Sequence, residues 1–426
     1  MTLFAPYALL PEGWASDVVV EMSHDGSIAN VATSVIAPPT GAERVEGALV
    51  PGVPNLHSHA FQRAMAGRAE RRAHARDDFW TWRDAMYRLA ADLDPDRLYA
   101  IARSAYVAML TAGYTSVAEF HYLHRDASGA WYRDRAAMSH ALVTAARDAG
   151  IAICLLPVLY AHGDVGGVPL DAARKRFATD VDDVLALAAD LRRAYAHDGD
   201  VVVGACAHSL RAVTPEELMA LVAASPRDVP MHLHVAEQQR EVEAVRAWLG
   251  APPVAWLLAN ADVDARWCLV HATHLEEAER RALAHSGAVA GLCPTTEANL
   301  GDGFFPLGAY LDDGGSFGIG SDGNTSISVV EELRWLEYGQ RLVERRRLVA
   351  ARADGASCGE SLYRFALAGG ARAVGRNAGS IVAGARADFA VLPLDEADDA
   401  EAVLDRYVFA TDRARPSAVY VSGRRH

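Results

Sequence analysis

Short apolar segments alternate with amphipathic segments along most of the chain. Eight of the apolar segments have the length and composition of buried β-strands. They are ALVPGVPNL (48–56), YTSVAEF (114–120), IAICLLPVLY (151–160), VVVGACAHS (201–209), VPMHLHVAE (229–237), WCLVHAT (267–273), AVAGLCP (288–294) and FGIGS (317–321). Because they are nearly continuous apolar runs, they predict a sheet that is covered on both faces.

Segments with a helical period separate most of these strands. DPDRLYAIARSAYVAMLTAG and TPEELMALVAA, for example, place the N-cap residues Asp94 and Thr214 ahead of their apolar repeats. Eight β-α units favour an α/β fold in which the strands close into a (β/α)8 TIM-type barrel. The active site of such a barrel lies in the loops at the C-terminal ends of its strands.

The two chain ends follow a different pattern. Residues 1–48 contain the β-like piece SDVVVEMS, and the tail contains NAGSIVAGARADFAVLPL and PSAVYVSGRRH, which are rich in Gly and Val. Neither end has a helical period. We therefore predict that residues 1–48 and 377–426 pair as one small β domain beside a barrel of residues 49–376.

Composition narrows the class of protein. The 426 residues are 51% hydrophobic, which is typical of a globular chain, and the net charge of −14 argues against a nucleic-acid or anionic-membrane surface. No basic leader and no run of roughly 18 apolar residues is present, so we expect a cytoplasmic protein. The five cysteines form no C-x-x-C pair, which predicts reduced, buried thiols.

Polar side chains stand at the C-terminal ends of the predicted strands, where a barrel places its active site. In chain order they are His57, His59, Tyr122, His208, Arg211, His234, Glu237, His271 and Asp322. About 0.6 His-x-His pairs are expected by chance in this composition, so the pair of His57 and His59 alone is weak. Its position together with the other strand-end residues favours a metal site.

Three imidazoles and a carboxylate suit a catalytic Zn²⁺ or Fe²⁺ with open coordination positions. The predicted ligands are His57, His59, His234 and Asp322. A buried divalent ion lowers the pKa of its bound water to about 7. The set therefore predicts a hydrolase.

Two ambiguities accompany this set. His232 forms a second His-x-His pair with His234, and we choose His234 because Glu237, three residues later, lies where a proton shuttle is needed. GIGSDG (318–323) matches the G-x-G-x-x-G dinucleotide pattern. That pattern opens the first βα turn of its domain, whereas this one lies on the last strand and contains Asp322, so we favour the metal site over NAD binding.

The segments PNLHSHAFQRAMAG, HLHVAEQ, LVHATHL, GIGSDGNTS and AGSIVAGARADFAVL resemble the deaminase branch of the metal-dependent amidohydrolase superfamily. NLHSHAFQRAMAG and HSLRAV are more particular to the N-formimino-L-glutamate deiminases of histidine degradation. The resemblance covers nearly the whole chain. It implies hydrolysis of N-formimino-L-glutamate to N-formyl-L-glutamate and ammonia by a homodimer with one divalent metal per subunit, normally zinc, with Fe²⁺ as the alternative.

The resemblance also implies roles for individual residues. It implies that the four metal ligands are those predicted above, His57, His59, His234 and Asp322. It also implies that Glu237 and His271 are the catalytic pair, and Asp322 is placed to accept a proton as well. The substrate-binding positions that it implies are Gln62, Arg83, Tyr122, His208 and Arg211. Arg83 lies in FWTWRDAMYRL, which we read as a long loop covering the mouth of the barrel, and Arg88 is close by. How Asp322 and His271 divide the base role stays open.

Two arginines suit a substrate with two carboxylates, because a guanidinium pairs with a carboxylate through two hydrogen bonds. A deaminase acting on a nucleobase or nucleoside-like ring is the first alternative, and it would need an aromatic stacking wall. A non-catalytic binding barrel is the second, and it would be expected to have lost ligands.

Overall fold

The N-terminal segment and the C-terminal tail together form one β-sheet. The structure is a computed structural model that describes residues 1–72, 77–353, 355–394, 400–410 and 415–426. Its first strands are β1 (Thr2–Leu10), β2 (Gly13–Met22), β3 (Ile28–Ala32), β4 (Glu43–Arg44) and β5 (Ala48–Pro51).

The next strands form the barrel. They are β6 (Val53–Ser58), β7 (Tyr114–His121), β8 (Ala152–Leu159), β9 (Val201–Val203), β10 (Ala205–Ala207), β11 (Met231–Val235), β12 (Trp267–His271), β13 (Val289–Leu292) and β14 (Ser316–Ile319). Neighbours pair in parallel in the order β6-β7-β8-β10-β11-β12-β13-β14, with β9 also on β8. A parallel bridge between Ser58 and Asp322 joins the first strand to the last. The predicted (β/α)8 barrel is confirmed.

Helices follow the barrel strands and cover the sheet. They are α1 (Phe79–Ala90), α2 (Pro95–Thr111), α3 (Ala137–Ala149), α4 (Val181–Ala194), α5 (Pro215–Ala224), α6 (Gln239–Leu249), α7 (Pro253–Asn260), α8 (Glu277–His285), α9 (Pro294–Leu300), α10 (Leu307–Asp312), α11 (Val329–Glu344), α12 (Cys358–Val374) and α13 (Val403–Phe409), with 3-10 turns at Ala60–Met65 and Ala400–Ala402. Asp94 and Thr214 cap α2 and α5 as predicted, each accepting a backbone N–H bond.

The tail contributes β15 (Phe389–Leu392), β16 (Ala418–Val421) and β17 (Arg424–Arg425). The order of this sheet is β17-β16-β15-β5-β1-β2-β3, with β4 on β1, so both chain ends build it. All five cysteines are buried and free, as the sequence predicts. In the described part of the chain, no helix is both long and apolar enough to cross a membrane.

The first predicted strand, 48–56, was wrong in its extent, because the structure divides it at Gly52. Residues before this glycine join β15 in the chain-end sheet, and residues after it join β7 in the barrel. A Cβ atom on Gly52 would lie 2.1 Å from Thr115 Cγ2, so only glycine fits at this crossing. The predicted fourth strand is likewise interrupted, at Gly204, where a Cβ atom would lie 2.5 Å from the Pro230 carbonyl oxygen.

Candidate active site

Three histidine nitrogens converge at the C-terminal end of the barrel. His57 Nε2 lies 3.0 Å from His234 Nε2 and 3.2 Å from His59 Nε2. Asp322 Oδ1 lies 3.4 Å from His57 Nε2 and 3.3 Å from His59 Nε2. All four side chains are buried. The residues predicted as ligands therefore form one cluster of donor atoms.

The tautomers of two histidines fit metal binding. His59 Nδ1 lies 3.0 Å from the Phe120 carbonyl oxygen, and His234 Nδ1 lies 3.0 Å from the His208 carbonyl oxygen. A carbonyl only accepts, so each Nδ1 donates its proton and each Nε2 turns a lone pair toward the cluster. Burial also lowers the pKa of His57 to about 3, which keeps this imidazole neutral. This donor set fits a divalent ion of the zinc or iron type.

Backbone pairing between the first and last strands brings these ligands together. Asp322 N–H donates to the His57 carbonyl oxygen at 3.0 Å, and His59 N–H donates to the Asp322 carbonyl oxygen at 2.9 Å. Asp322 has a φ of +42°, which turns its side chain out of the line of β14. His232 is held elsewhere, because its Nε2 lies 2.8 Å from the Ala373 carbonyl oxygen. The structure thus places His234, and not His232, in the cluster.

His271 lies beside the cluster and contacts three carboxylates. Its Nε2 is 3.6 Å from Glu237 Oε1 and 3.9 Å from Asp322 Oδ2. Its Nδ1 is 3.3 Å from Oε1 of Glu297, a residue of α9 that we did not predict. Although burial lowers the pKa of His271, Glu237, Glu297 and Asp322 together raise it to about 10. These three carboxylates therefore favour the protonated form of the imidazole.

The predicted substrate-binding residues surround the same space. Arg211 Nη2 donates to Glu237 Oε2 at 2.8 Å, and Gln62 Nε2 donates to the Tyr122 hydroxyl at 3.0 Å. His208 Nδ1 lies 2.9 Å from Ser209 Oγ. These side chains supply hydrogen-bond donors and one buried guanidinium next to the cluster of predicted metal ligands.

One cavity of about 590 Å³, counted with its open mouth, unites the predicted residues. Except for His57, which lies beneath it, every predicted site residue lines this cavity. The lining residues are His59, Gln62, Phe79, Trp82, Arg83, Met86, Tyr87, Tyr122, Tyr160, Gly163, His208, Arg211, His234, Glu237, His271, Leu300 and Asp322. The histidines, carboxylates and arginines thus share a single cavity.

The segment around Arg83 is a helix, so our prediction of a long loop was wrong. Asp78 caps α1 by accepting N–H bonds from Trp80 and Thr81, and the helix lays one face over the cavity. The Arg83 guanidinium lies 4.5 Å from the ring centre of Trp80. Arg88 is exposed and lines a separate surface depression. Of the two arginines, only Arg83 lines the cavity.

A parallel barrel with buried histidine and carboxylate donors at its C-terminal mouth is the architecture of the metal-dependent hydrolases. The chain belongs to the amidohydrolase family, whose model matches residues 48–425. Residues 1–45 match the model described as formimidoylglutamate deiminase HutF, N-terminal domain. The resemblance found in the sequence is confirmed at the level of the family.

Individual relatives agree with this assignment. The formimidoylglutamate deiminase of Pseudomonas aeruginosa is 51% identical over 426 residues, covering 99% of this chain and 93% of that protein. The amidohydrolase structure from Brucella melitensis is 45% identical with a TM-score of 0.94, covering 100% of this chain and 94% of that one. A 5-methylthioadenosine/S-adenosylhomocysteine deaminase of Natronomonas pharaonis is 29% identical, covering 82% of this chain and 74% of that protein.

Proposed function

We propose that the protein hydrolyses N-formimino-L-glutamate to N-formyl-L-glutamate and ammonia in histidine degradation. The observation that carries the proposal is the pair Arg211 and Arg83, which line the cavity next to the metal-ligand cluster. A substrate with two carboxylates entering a chain of net charge −14 needs local cations. The 51% identity to the deiminase of Pseudomonas aeruginosa supports the same substrate.

The two ends of the substrate would have different partners. The carboxylates bind Arg211 and Arg83, with Gln62, Tyr122 and His208 as further hydrogen-bond partners around the cavity. This binding directs the formimino carbon toward the cluster. Rings on the cavity wall are compatible with a nucleobase, but two arginines favour the dicarboxylate over such a ring.

His57, His59, His234 and Asp322 would hold one Zn²⁺ per subunit, with Fe²⁺ as the alternative. When bound, this ion supplies a water of lowered pKa and polarises the carbon–nitrogen double bond. The neutral histidine donors suit both metals, and the family resemblance favours zinc.

Proton transfer belongs to the residues beside the cluster. Asp322 is placed to take the proton of the attacking water, and His271 orients that water and stabilises the negative charge that develops. The nitrogen must depart as ammonia, since an amide anion is a prohibitive leaving group. Glu237, 3.6 Å from His271, delivers that proton, a role that typically contributes about 10²–10⁴-fold in rate.

The test is ammonia release from N-formimino-L-glutamate by zinc-loaded protein, with adenosine and guanine as ring controls. We expect about one zinc per chain, loss of activity on chelation and recovery on adding zinc. His271→Ala should lose turnover, and Arg211→Ala should mainly raise KM. A folded, metallated protein that releases ammonia only from a ring compound would replace this proposal with the ring deaminase.

The oligomeric state and location extend the proposal. We place the protein in the cytoplasm, consistent with five free cysteines, and expect a homodimer. Trp335, Tyr338 and Leu342 of α11 are exposed apolar side chains that suit a contact between subunits. Light scattering during size-exclusion chromatography should give twice the chain mass of 45.7 kDa, and a monomer at micromolar concentration would contradict the expectation.

A further inference from the structure

Glu241 is a buried carboxylate in the first turn of α6, next to the active site but absent from the cavity wall. Its Oε1 accepts the Ala236 N–H at 3.3 Å, and its Oε2 accepts the Glu237 N–H at 3.2 Å. The side chain has no exposed surface. Both oxygens therefore serve the short turn that follows β11.

This turn has an unfavourable backbone conformation. Ala236 has a φ of +51°, a left-handed conformation that a residue with a Cβ atom adopts only at an energetic cost. The turn carries Glu237 to a point 3.6 Å from His271. The two hydrogen bonds that Glu241 accepts hold the backbone in the conformation that presents Glu237 to the cluster.

Glu241 also faces the guanidinium that would bind the substrate. Its Oε2 lies 3.8 Å from Arg211 Nε, while Arg211 Nη2 donates to Glu237 at 2.8 Å. Arg211 therefore lies between two carboxylates. Arg211 Nη1 has no hydrogen-bond partner among the described residues and can donate to a substrate carboxylate, whereas Nη2 is bonded to Glu237 and Glu241 remains fixed by the backbone.

We propose that Glu241 is a positioning residue that holds both the Glu237 turn and Arg211 in their working geometry. The inference rests on the proposed function, because it assigns Glu237 to proton delivery and Arg211 to substrate binding. Glu241 touches no substrate in this arrangement. It acts through the two residues that do.

Glu241→Gln tests this role, because the amide places an NH₂ group against one of the two backbone N–H donors and removes the carboxylate beside Arg211. The matched control is Glu279→Gln. Glu279 also occupies the third position of its helix, α8, is buried, and accepts the N–H groups of Ala255 and Glu276 at 3.0 and 2.9 Å. It does not line the cavity, so its loss affects folding without affecting the site.

The measurements are kcat, KM and melting temperature for ammonia release by zinc-loaded protein. Displacing a reacting group by about 1 Å costs on the order of 100-fold, so we expect kcat/KM to fall about 10- to 100-fold in Glu241→Gln, with lower kcat and higher KM. The kcat/KM of Glu279→Gln should stay within about twofold of wild type. Its melting temperature should fall by about as much as that of Glu241→Gln. Glu241→Asp, which keeps the charge, should recover part of the loss.

Wild-type kinetics in Glu241→Gln would overturn the positioning role. If Glu241→Gln does not fold, Glu241→Asp decides, since its shorter side chain should lower kcat/KM several-fold. Failure of both variants to fold while Glu279→Gln folds would make Glu241 a residue of stability alone.

A second measurement separates this inference from the proposed function. Glutarate carries two carboxylates but no formimino group, and its binding, measured as protection against thermal unfolding, needs Arg211 but no reaction. If wild type binds glutarate but releases no ammonia, the proposed function fails, and weaker glutarate binding by Glu241→Gln still supports the inference. Wild type that binds no glutarate would overturn both.

Discussion

His271, the proposed catalytic imidazole, lies next to Glu297, a carboxylate of the neighbouring helix α9. Glu297 Oε1 lies 3.3 Å from His271 Nδ1 and also accepts the Cys293 N–H at 3.0 Å. The Cys293 bond fixes the carboxylate at the start of α9. Glu297 therefore orients the imidazole, so that Nε2 faces Glu237 and Asp322.

Glu297→Gln should lower kcat about 10- to 100-fold with little change in KM, because the neutral amide orients His271 less firmly and no longer stabilises its positive charge. Steady-state ammonia release measures both constants. Glu337→Gln is the control, since Glu337 is equally buried but accepts the N–H groups of Val349 and Ala350 at 2.9 and 3.0 Å. Equal kinetic effects in the two variants would contradict a specific role for Glu297.

At the scale of elements, Asn324 joins the loop after β14 to the loop after β6. Its Nδ2 group donates to Ser58 Oγ and to the carbonyl oxygens of His59 and Asp322 at 3.0, 3.1 and 3.0 Å. Its Oδ1 accepts from Ser321 Oγ at 2.6 Å. This single side chain bonds to both loops that carry the proposed metal ligands, so together with the backbone pairing it helps to fix their separation.

Asn324→Ala should weaken zinc binding about 10- to 100-fold, because losing the support behind ligands typically costs this much affinity. Zinc retained after dialysis against a graded chelator, measured by elemental analysis, gives the affinity without an activity assay. Asn377→Ala is the control, since Asn377 is an exposed amide that does not line the cavity and whose side chain donates to the Gly384 carbonyl oxygen. Unchanged zinc retention in Asn324→Ala would show that backbone pairing alone sets the ligand geometry.

Helix α1 covers the cavity through aromatic side chains. The Trp80 ring lies 4.5 Å from the guanidinium of Arg83 and 4.4 Å from that of Arg240 of α6. Trp82 lines the cavity directly. The contacts of the Trp80 ring with these two guanidinium groups hold the helix over the mouth of the cavity. They also hold Arg83 toward the substrate.

Trp80→Ala and Trp82→Ala should each lower kcat/KM about tenfold, Trp80 through Arg83 and Trp82 through access of water to the cavity. Trp256→Ala, which changes a half-buried tryptophan of α7 that does not line the cavity, should leave the kinetics unchanged. Ammonia release over a range of substrate concentrations distinguishes these outcomes. Wild-type kcat/KM in both cavity variants would contradict a covering role for α1.

At the scale of the whole molecule, a partly buried ionic network joins the chain-end sheet to the barrel. Asp200, just before β9, accepts from Arg376 and Arg386 at 3.0 and 3.1 Å and also pairs with Arg424. Arg376 in turn pairs with the buried Asp388 at 2.8 Å. The network links residues far apart in the chain, so it stabilises only the folded arrangement.

Asp200→Asn should lower the free energy of unfolding at pH 7 by about 2 kcal/mol, because three guanidinium groups lose a common partner. Although burial by itself raises the pKa of Asp200, the bond from Ser422 and the guanidinium groups of Arg376 and Arg424 lower it overall. A carboxyl whose pKa is lowered by folding stabilises the fold at pH values above its pKa in the unfolded chain, which is about 4. This stabilisation is lost as the pH falls toward the pKa of the folded state.

The difference in the free energy of unfolding between wild type and Asp200→Asn should therefore become smaller below about pH 4. Urea unfolding at pH 7, 5 and 3.5 measures it. Asp262→Asn is the control, because Asp262 pairs with Arg227 with both side chains 68% exposed, and such pairs contribute little. A difference that stays constant down to pH 3.5 would contradict the assignment of the lowered pKa.

Much of the site was predictable because of one geometric property of barrels. The C-terminal ends of parallel strands meet at one rim, so polar residues that follow apolar segments must come together there. His57, His59, His234, His271 and Asp322 were found in this way. Gln62 and Arg83 do not lie at the end of a predicted strand, and only the family resemblance indicated them.

The residues that support the site were not predictable. Glu241 and Glu297 stand in the first turns of helices, where acidic residues are common for electrostatic reasons, so their positions carry no functional signal. Their roles depend on which backbone N–H groups and side chains lie opposite them after the helices pack. The helical state of α1 was missed as well, since we read its aromatic residues as those of a loop.

The sequence by itself determined the strand and helix order, the closed barrel and the residues at its rim, because these follow from local hydrophobic periodicity and from chain order. Only the tertiary structure decided between His232 and His234, divided the first strand at Gly52 and assembled the network around Asp200. Each of these depends on a contact between residues distant in the chain. Such contacts depend on how the elements pack, which the local pattern does not specify.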